Sequence, residues 1–400
     1  MAPRWIFAVL GVLTVATAAC DPVPPPGGDE APVLPAWQPL TLPTPPGPPG
    51  RVLLRDATAC AGRWYAIGGV ADADGGTRPA AWTSLDGTTW SVVPIAAESF
   101  YGRQNVLYAA GCRDGELAAV GAKTGGAHGN PRVSTWRQRP DGGGLVEVSA
   151  SFETYGGPKA VNVSRLAGGP AGWLVVGNRS SGAAAWVSPD AADFALVEGV
   201  PELASDGRGI SWAFDAVGVP GGWLAVGGVL PAGRIDRDPV AWSSADGRSW
   251  RRTSLSGTDR YEELQRVALI DDAVVAVGLR GTAFGAWRRD GDRWVAVGGF
   301  GGTAPSKVPS VDGLVAADGR LVAAISDGAS RSVWTSADRG GSWQRMELPG
   351  PVPAGADRDV AVVAVGRRLW IFADDGVRPT VWSAEMPADG RVQRRDERPR

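Results

Sequence analysis

The stretch SVWTSADRGGSWQRMELP, residues 332–349, holds Ser336, Asp338, Gly340, Ser342 and Trp343 in the order S-x-D-x-G-x-S-W. A hydroxyl two residues from a carboxylate could pair a nucleophile with a base, or offer two oxygens to a cation. The pattern returns as Ser84, Asp86, Gly87 and Trp90, and again as Ser244, Asp246, Gly247 and Trp250. Partial copies stand at Ser188 and Asp190, and at Asp290, Gly291 and Trp294. A reaction centre is needed once, whereas a device of the fold is needed in every unit. The short carboxylate can accept the turn's own N–H groups, the glycine can take a positive φ, and the serine can brace the carboxylate. The expected role is therefore a structural turn.

Other chemistry is sparse. Tyr261, Glu262 and Glu263 form a Tyr-Glu neighbour that could join a nucleophile to an acid. His128 is the single histidine and has no partners with which to build a zinc site. Asp72 with Asp74, and Asp236 with Asp238, could touch calcium, but a loop begun at Asp72 lacks the acidic residue at its twelfth position. Solvent-facing turns are expected there, with no metal and no cofactor.

The elements that carry these residues repeat. Trp82, Trp136, Trp186, Trp242, Trp287, Trp334 and Trp382 stand 45 to 56 residues apart, each in a short apolar run such as PAAWTS or RSVWTS. Ahead of each lies a run such as RWYAIGG, GWLVVGN or GWLAVGG, and before that a third, such as VLLRDATAC or ISWAFDAVG. A last run follows the turn, as in RSWRRTSL. Four apolar runs of strand length per unit, divided by Gly, Asp and Pro, predict strands, and no segment has a helical period over ten residues. Seven such units predict an all-β chain, a seven-bladed β-propeller of four-stranded blades over residues 51–400. AWQPLTLP, residues 36–43, resembles the end of the opening stretch and is expected to close the ring as the outer strand of the last blade; residues 390–395 compete for that place. Cys60 and Cys112 end the first strands of adjacent blades, where a disulfide is reasonable.

The bulk composition narrows the partners. A formal charge of −2 over 400 residues excludes a chain-wide basic field for nucleic acid, and a monomer is expected. Residues 1–19 combine Arg4, an apolar run and small residues, which is an export signal. Thr17-Ala18-Ala19-Cys20 resembles the lipobox of bacterial lipoproteins; the resemblance implies cleavage before Cys20, lipid on its sulfur, and anchorage at the extracytoplasmic face of the cell membrane. Residues 20–50 are proline-rich, with twelve prolines between 21 and 50, and are expected to act as a tether.

At the repeated turn the sequence resembles the Asp-box, or BNR-type, repeat of sialidase-like propellers over about residues 51–395. The copy from Ser336 to Trp343 matches the full motif, and those beginning at Ser84 and Ser244 are one residue shorter. The resemblance implies that these turns are structural and lie opposite the active-site face. It also names an enzyme to test. Sialidases use an arginine triad, an Arg-Ile-Pro motif and a tyrosine nucleophile, usually on six blades; this chain has seven repeats and no Arg-Ile-Pro.

The face opposite the turns carries the long, variable loops, where binding normally resides. A basic residue precedes the first strand of every blade: Arg51, Arg103, Lys159, Arg208, Arg260, Lys307 and Arg358. Such a rim could hold an anionic or sugar ligand, and nearby acids could equally neutralise it. The expected function is a non-catalytic, membrane-tethered propeller that binds or scaffolds a cell-envelope protein or glycan on its loop face. The alternative is a divergent sialidase-type glycoside hydrolase, with Arg103, Arg208 and Arg260 gripping an acidic sugar and Tyr261 or Glu263 in chemistry.

Overall fold

Seven antiparallel sheets follow one another around an axis in the computed structural model, which describes residues 31–125 and 131–386. The chain is a seven-bladed β-propeller. Its inner strands are Arg51–Cys60, Val106–Arg113, Ala160–Gly169, Ile210–Val219, Glu262–Ile270, Ser310–Ala317 and Asp359–Val365, for blades 1 to 7. Each is followed outward by its neighbours in sequence, as in blade 4, where Gly222–Leu230, Asp238–Ser244 and Arg251–Ser254 complete the sheet. Helix is confined, among the described residues, to single turns at Gly102–Gln104 and Phe152–Tyr155, both between blades.

The core is divided in the same way. One buried apolar cluster fills each interface between adjacent blades, including one that joins blade 7 to blade 1 through Trp82, Trp90, Trp370 and Phe372. The periodic tryptophans explain the spacing of the repeats. Trp82, Trp136, Trp186 and Trp242 are fully buried, and each indole N–H donates to the chain entering the blade: Pro43 O, Asn105 Oδ1, Thr154 O and Glu202 O. The ring therefore packs against both sheets, while its polar edge fixes the connection.

Six inner strands carry a β-bulge midway, at Arg55, Tyr108, Ser164, Phe214, Gln265 and Asp312. The extra residue swings the inner backbone toward the second strand. A Cβ at Gly68 would strike the Leu53 carbonyl, and one at Gly278 that of Glu263. In five of these six blades a second-strand glycine is thus the partner of the bulge, and in blade 6 Ile325 holds that place.

The ring is closed by its N-terminal segment. Gln38–Leu40 pairs antiparallel with Pro379–Glu385 in the register Gln38 to Ser383, Pro39 to Trp382 and Leu40 to Val381. Residues 390–395 lie outside the described residues, as do residues 1–19, read above as an export signal, Cys20 and His128. The proline-rich stretch read as a tether is, from residue 31 onward, laid against the ring. Val33 exchanges backbone hydrogen bonds with Arg345 and Glu347, and the Trp37 indole donates to Glu347 O at 2.7 Å. Farther along, Pro46 O and Pro48 O accept from the Arg78 guanidinium. Proline suits this course, since it leaves no N–H to satisfy and its carbonyl still accepts. A disulfide joins Cys60 to Cys112 across blades 1 and 2, with Cα atoms 5.3 Å apart.

Candidate functional site

The repeated turns are built as hydrogen-bonded hairpins. Asp86 Oδ1 accepts from the N–H groups of Thr88 and Thr89, both at 2.7 Å, while Ser84 Oγ accepts from Gly87 N. Asp246 and Ser244 do the same for Arg248, Ser249 and Gly247. In the longer copy Asp338 holds Ser342 through both its N–H and its hydroxyl, and Ser336 Oγ accepts from Gly340 N. Gly340 has φ +94°, which a side chain would strain. Trp250 and Trp343 donate their indole N–H to the glycine carbonyl of their own turn. In blade 1 that carbonyl, Gly87 O, is taken instead by Trp370 of blade 7, and Trp90 covers the turn with its N–H unpartnered. Backbone donors hold the Asp86 carboxyl well below the usual carboxylate range, so it is an anchored acceptor and not a base.

On the opposite face the basic rim does not converge. Arg51 turns inward to the buried Asp374 at 2.6 Å. Arg103 donates to the Glu98 carbonyl, Lys159 pairs with Glu198, and Arg208 pairs with Asp206 and Glu202. Arg358 donates to Ala354 O and packs over Gly355 and Gly376. Arg260 lies over Gly281 and Lys307 over Gly328. Three of the seven, Arg103, Arg208 and Arg358, are thus engaged on their own turns, each on a different blade connection, while Lys159 reaches the next connection.

Tyr261 and Glu263 do meet. The Tyr261 hydroxyl donates to Glu263 Oε2 at 2.7 Å, and Gln265 Nε2 donates to Oε1 of the same carboxylate. The cation on this pair is Arg237, at 2.6 Å from Glu263 and 3.1 Å from the Tyr261 hydroxyl; it comes from the loop between the second and third strands of blade 4. Its guanidinium lies 5.1 Å from the Trp212 ring centre and 5.7 Å from that of Phe214. Neither Arg103 nor Arg208 joins the pair. Burial pushes the Tyr261 hydroxyl pKa up and the Glu263 charge pushes it further, against the pull of Arg237. An activated nucleophile needs the opposite shift.

The axis is occupied by charge. At and beside the bulges, Arg55, Asp56, Arg165, Asp215, Arg266 and Asp312 come together from five blades, and Asp359, at the start of the unbulged strand of blade 7, lies within reach of their charges. Arg165 reaches across the axis to Asp56 Oδ2 at 3.2 Å, Tyr108 O at 3.1 Å and Asp312 O at 3.2 Å. Arg266 meets the same Asp312 carbonyl from blade 5. The acids have a second task, because every inner strand is a sheet edge with free N–H groups. Asp56 accepts from Ala110 N of the next blade and Asp215 from Val267 N; Gln265 and Asn178 do likewise for Val311 N and Ala213 N. Burial, with Arg165 beside it, brings the Arg266 pKa down to about 10, still cationic at neutrality. The channel is therefore plugged midway, and a blind well of about 380 Å³ opens on the side of the repeated turns.

A second cavity lies off the axis, on the loop face between blades 2 and 3. It encloses about 480 Å³ between the turn at 98–101, the start of Arg132–Gln138, the end of Leu145–Val148 and the helical turn Phe152–Tyr155. Its floor is Glu147, which accepts from Glu98 N, Ser99 N, Ser99 Oγ and Ser134 Oγ. Arg132 stands in its wall beside Tyr101 and Phe152. Among the lining residues, Tyr101 and Tyr155 are aromatics that precede the rim cations Arg103 and Lys159 in sequence, whereas Arg132, Glu147 and Phe152 carry no such signal. The signal that could have found the axial group was present: VLLRDATAC, NVSRLAGG, SWAFDAVG and ELQRVALI each break an apolar run with a polar side chain at the same place.

No family model and no curated protein matches this chain. Among solved structures it is similar to the β-propeller domain of the Trilobed protease from Pyrococcus furiosus, with 10% identity, a TM-score of 0.46, and coverage of 84% of this chain and 96% of that one. It is similar to Penicillium chrysogenum alpha-L-arabinanase at 15% identity and a TM-score of 0.45, covering 72% of this chain and 96% of the other. Pyrococcus horikoshii acylaminoacyl peptidase follows at 9% identity and a TM-score of 0.45, covering 84% of this chain and 53% of that one.

Proposed function

We propose that the protein is an exported, lipid-tethered propeller that binds a cell-envelope protein or glycan on its loop face and does not itself catalyse a reaction. The observation that carries this reading is the use made of the charged groups. Carboxylates and guanidiniums that a catalytic funnel would leave free along the axis are spent here on one another and on the edges of inner strands. The loop face instead offers an off-axis cavity with exposed aromatic rings at its mouth. The Cys20 lipobox supplies the membrane anchor in this reading.

The test uses the full chain in detergent, sedimented with isolated envelope fragments before and after protease treatment of the fragments. Co-sedimentation supports the reading; binding that survives the protease identifies a glycan, and binding that is lost identifies a protein. Cys20→Ser should release the protein from the membrane fraction. The 2.7 Å contact between Tyr261 and Glu263 favours a second reading, a divergent sialidase-type hydrolase. Cleavage of a chromogenic sialoside that disappears in Tyr261→Phe would establish that reading and overturn the first.

A further inference from the structure

The cavity between blades 2 and 3 has a feature found nowhere else among the described residues. Among the described residues, the only aromatic side chains left exposed are Phe100, Tyr101 and Phe152, at 65%, 41% and 54%. Tyr101 and Phe152 line the cavity, and Phe100 meets Tyr101 edge-on with ring centres 5.3 Å apart. Rings gathered in this way beside a pocket mark an unfinished interface.

The polar groups decide what completes it. The Arg132 guanidinium lies 4.6 Å from the Phe152 ring centre and 5.5 Å from that of Tyr101, and its Nε is buried without a hydrogen-bond partner. Among the described residues no carboxylate pairs with it. Glu147 lies on the same cavity and stays ionised: burial would raise its carboxyl, but the bonds from Ser99, Ser134 and Glu98 outweigh burial and lower it. Glu98 is a second acidic residue of the lining. An anionic ligand would meet two acids, and a cationic one would meet Arg132. A ligand whose hydroxyls both donate and accept satisfies both signs, and the apolar face of a sugar ring suits an exposed aromatic. The volume of about 480 Å³ is that of an ordinary small-ligand site and holds a short oligosaccharide.

We propose that this cavity is a binding site for a neutral saccharide, its ring stacked on Phe152 and Tyr101 and its hydroxyls bonded to Arg132 and Glu98. The proposal rests on the binding-protein reading above and narrows it to one site and one chemistry.

Three trisaccharide probes of similar size separate the alternatives by calorimetry on the full chain in detergent: triacetylchitotriose, which is neutral; its deacetylated, cationic form; and trigalacturonate, which is anionic. The neutral probe should bind, and Phe152→Ala and Arg132→Ala should each weaken it at least about tenfold, or about 1.4 kcal/mol. Phe152→Trp should retain binding and so separate lost stacking from lost folding. Preferential binding of either charged probe overturns the proposal, as does neutral binding that both alanine variants leave unchanged. Failure of all three probes also overturns it. If envelope fragments still co-sediment with the protein in that case, the broader reading stands and only this site falls.

Discussion

Replacing Arg165 with methionine tests whether the axial charges hold the ring together. The guanidinium makes three contacts, to Asp56, to the Tyr108 carbonyl and to the Asp312 carbonyl, and so links blades 1, 2, 3 and 6. Methionine fills much of the volume but leaves Asp56 and Asp215 facing the axis without that cation. Removing one partner of a buried charge group costs about 3–5 kcal/mol, because the remaining charge stays desolvated. An unfolding entropy of about 2.1 cal/mol/K per residue over the roughly 350 described residues gives a slope near 0.7 kcal/mol/K, so Tm should fall by about 4–7 °C. Differential scanning calorimetry near neutral pH measures this. Adding Asp56→Asn removes the stranded charge while keeping an oxygen for Ala110 N, so the double variant should lose less than the two single losses combined. A change in Tm within about 1 °C for Arg165→Met, or strict additivity in the double variant, would refute the claim that these charges act as one group.

Two further perturbations address neighbouring parts of the ring. Burial, reinforced by the Asp312 charge and opposed by Arg55, Arg165 and Arg331, pushes the Asp359 carboxyl up to about 6. An acid raised in the fold above its unfolded value of about 3.9 penalises the folded state once it ionises; the penalty is absent below about pH 4 and complete above about pH 6. Asp359→Asn should therefore raise Tm at pH 7.5 and leave it nearly unchanged at pH 4, and an equal gain at both would rule out titration as the cause. Deleting residues 31–42 removes the strand paired with Pro379–Glu385 and the packing of Val33 and Trp37 on blades 6 and 7. Hydrogen exchange should then show the amides of Pro379–Glu385 losing protection before those of blades 2 to 4, whereas uniform loss would contradict a closure confined to this seam.

The blade count was legible because its physical cause recurs in every unit. Each third strand carries a tryptophan at the same place, and five of the six bulges have a glycine opposite them, so Trp82 and Gly68 reappear as Trp242 and Gly227 at matching places. The closing strand was legible for the same reason: residues 36–43 look like a fourth strand that has lost its blade. The candidate site was not legible. Arg237 and Glu263 lie far apart along the chain and meet only because the loop after the second strand of blade 4 folds over the start of blade 5. Arg132 begins the third strand of blade 2, while Phe152 and Tyr101 come from two blade connections of unlike length, and nothing repeats in them. The basic rim was ambiguous in the sequence because a residue just before an inner strand has two ways to go. Arg51 went inward to Asp374, whereas Arg208 stayed on its own turn.

The same geometry explains why charge on the inner strands is a poor guide to function in this fold. A propeller leaves seven sheet edges facing a narrow axis, and their N–H groups need acceptors there. Asp56, Asp215, Gln265 and Asn178 supply those acceptors, and an acid so placed calls for a cation, which Arg165 and Arg266 provide. Once that requirement is met, the charges are committed to one another and to the backbone. Exposed rings at 100–101 and 152 answer no such requirement. Neither the inner edges nor the interblade clusters need Phe100 or Phe152, and solvating them costs the folded chain apolar burial it could have had. The residues that the architecture does not need are where a ligand has the most to contribute, and on this molecule they stand together beside Arg132.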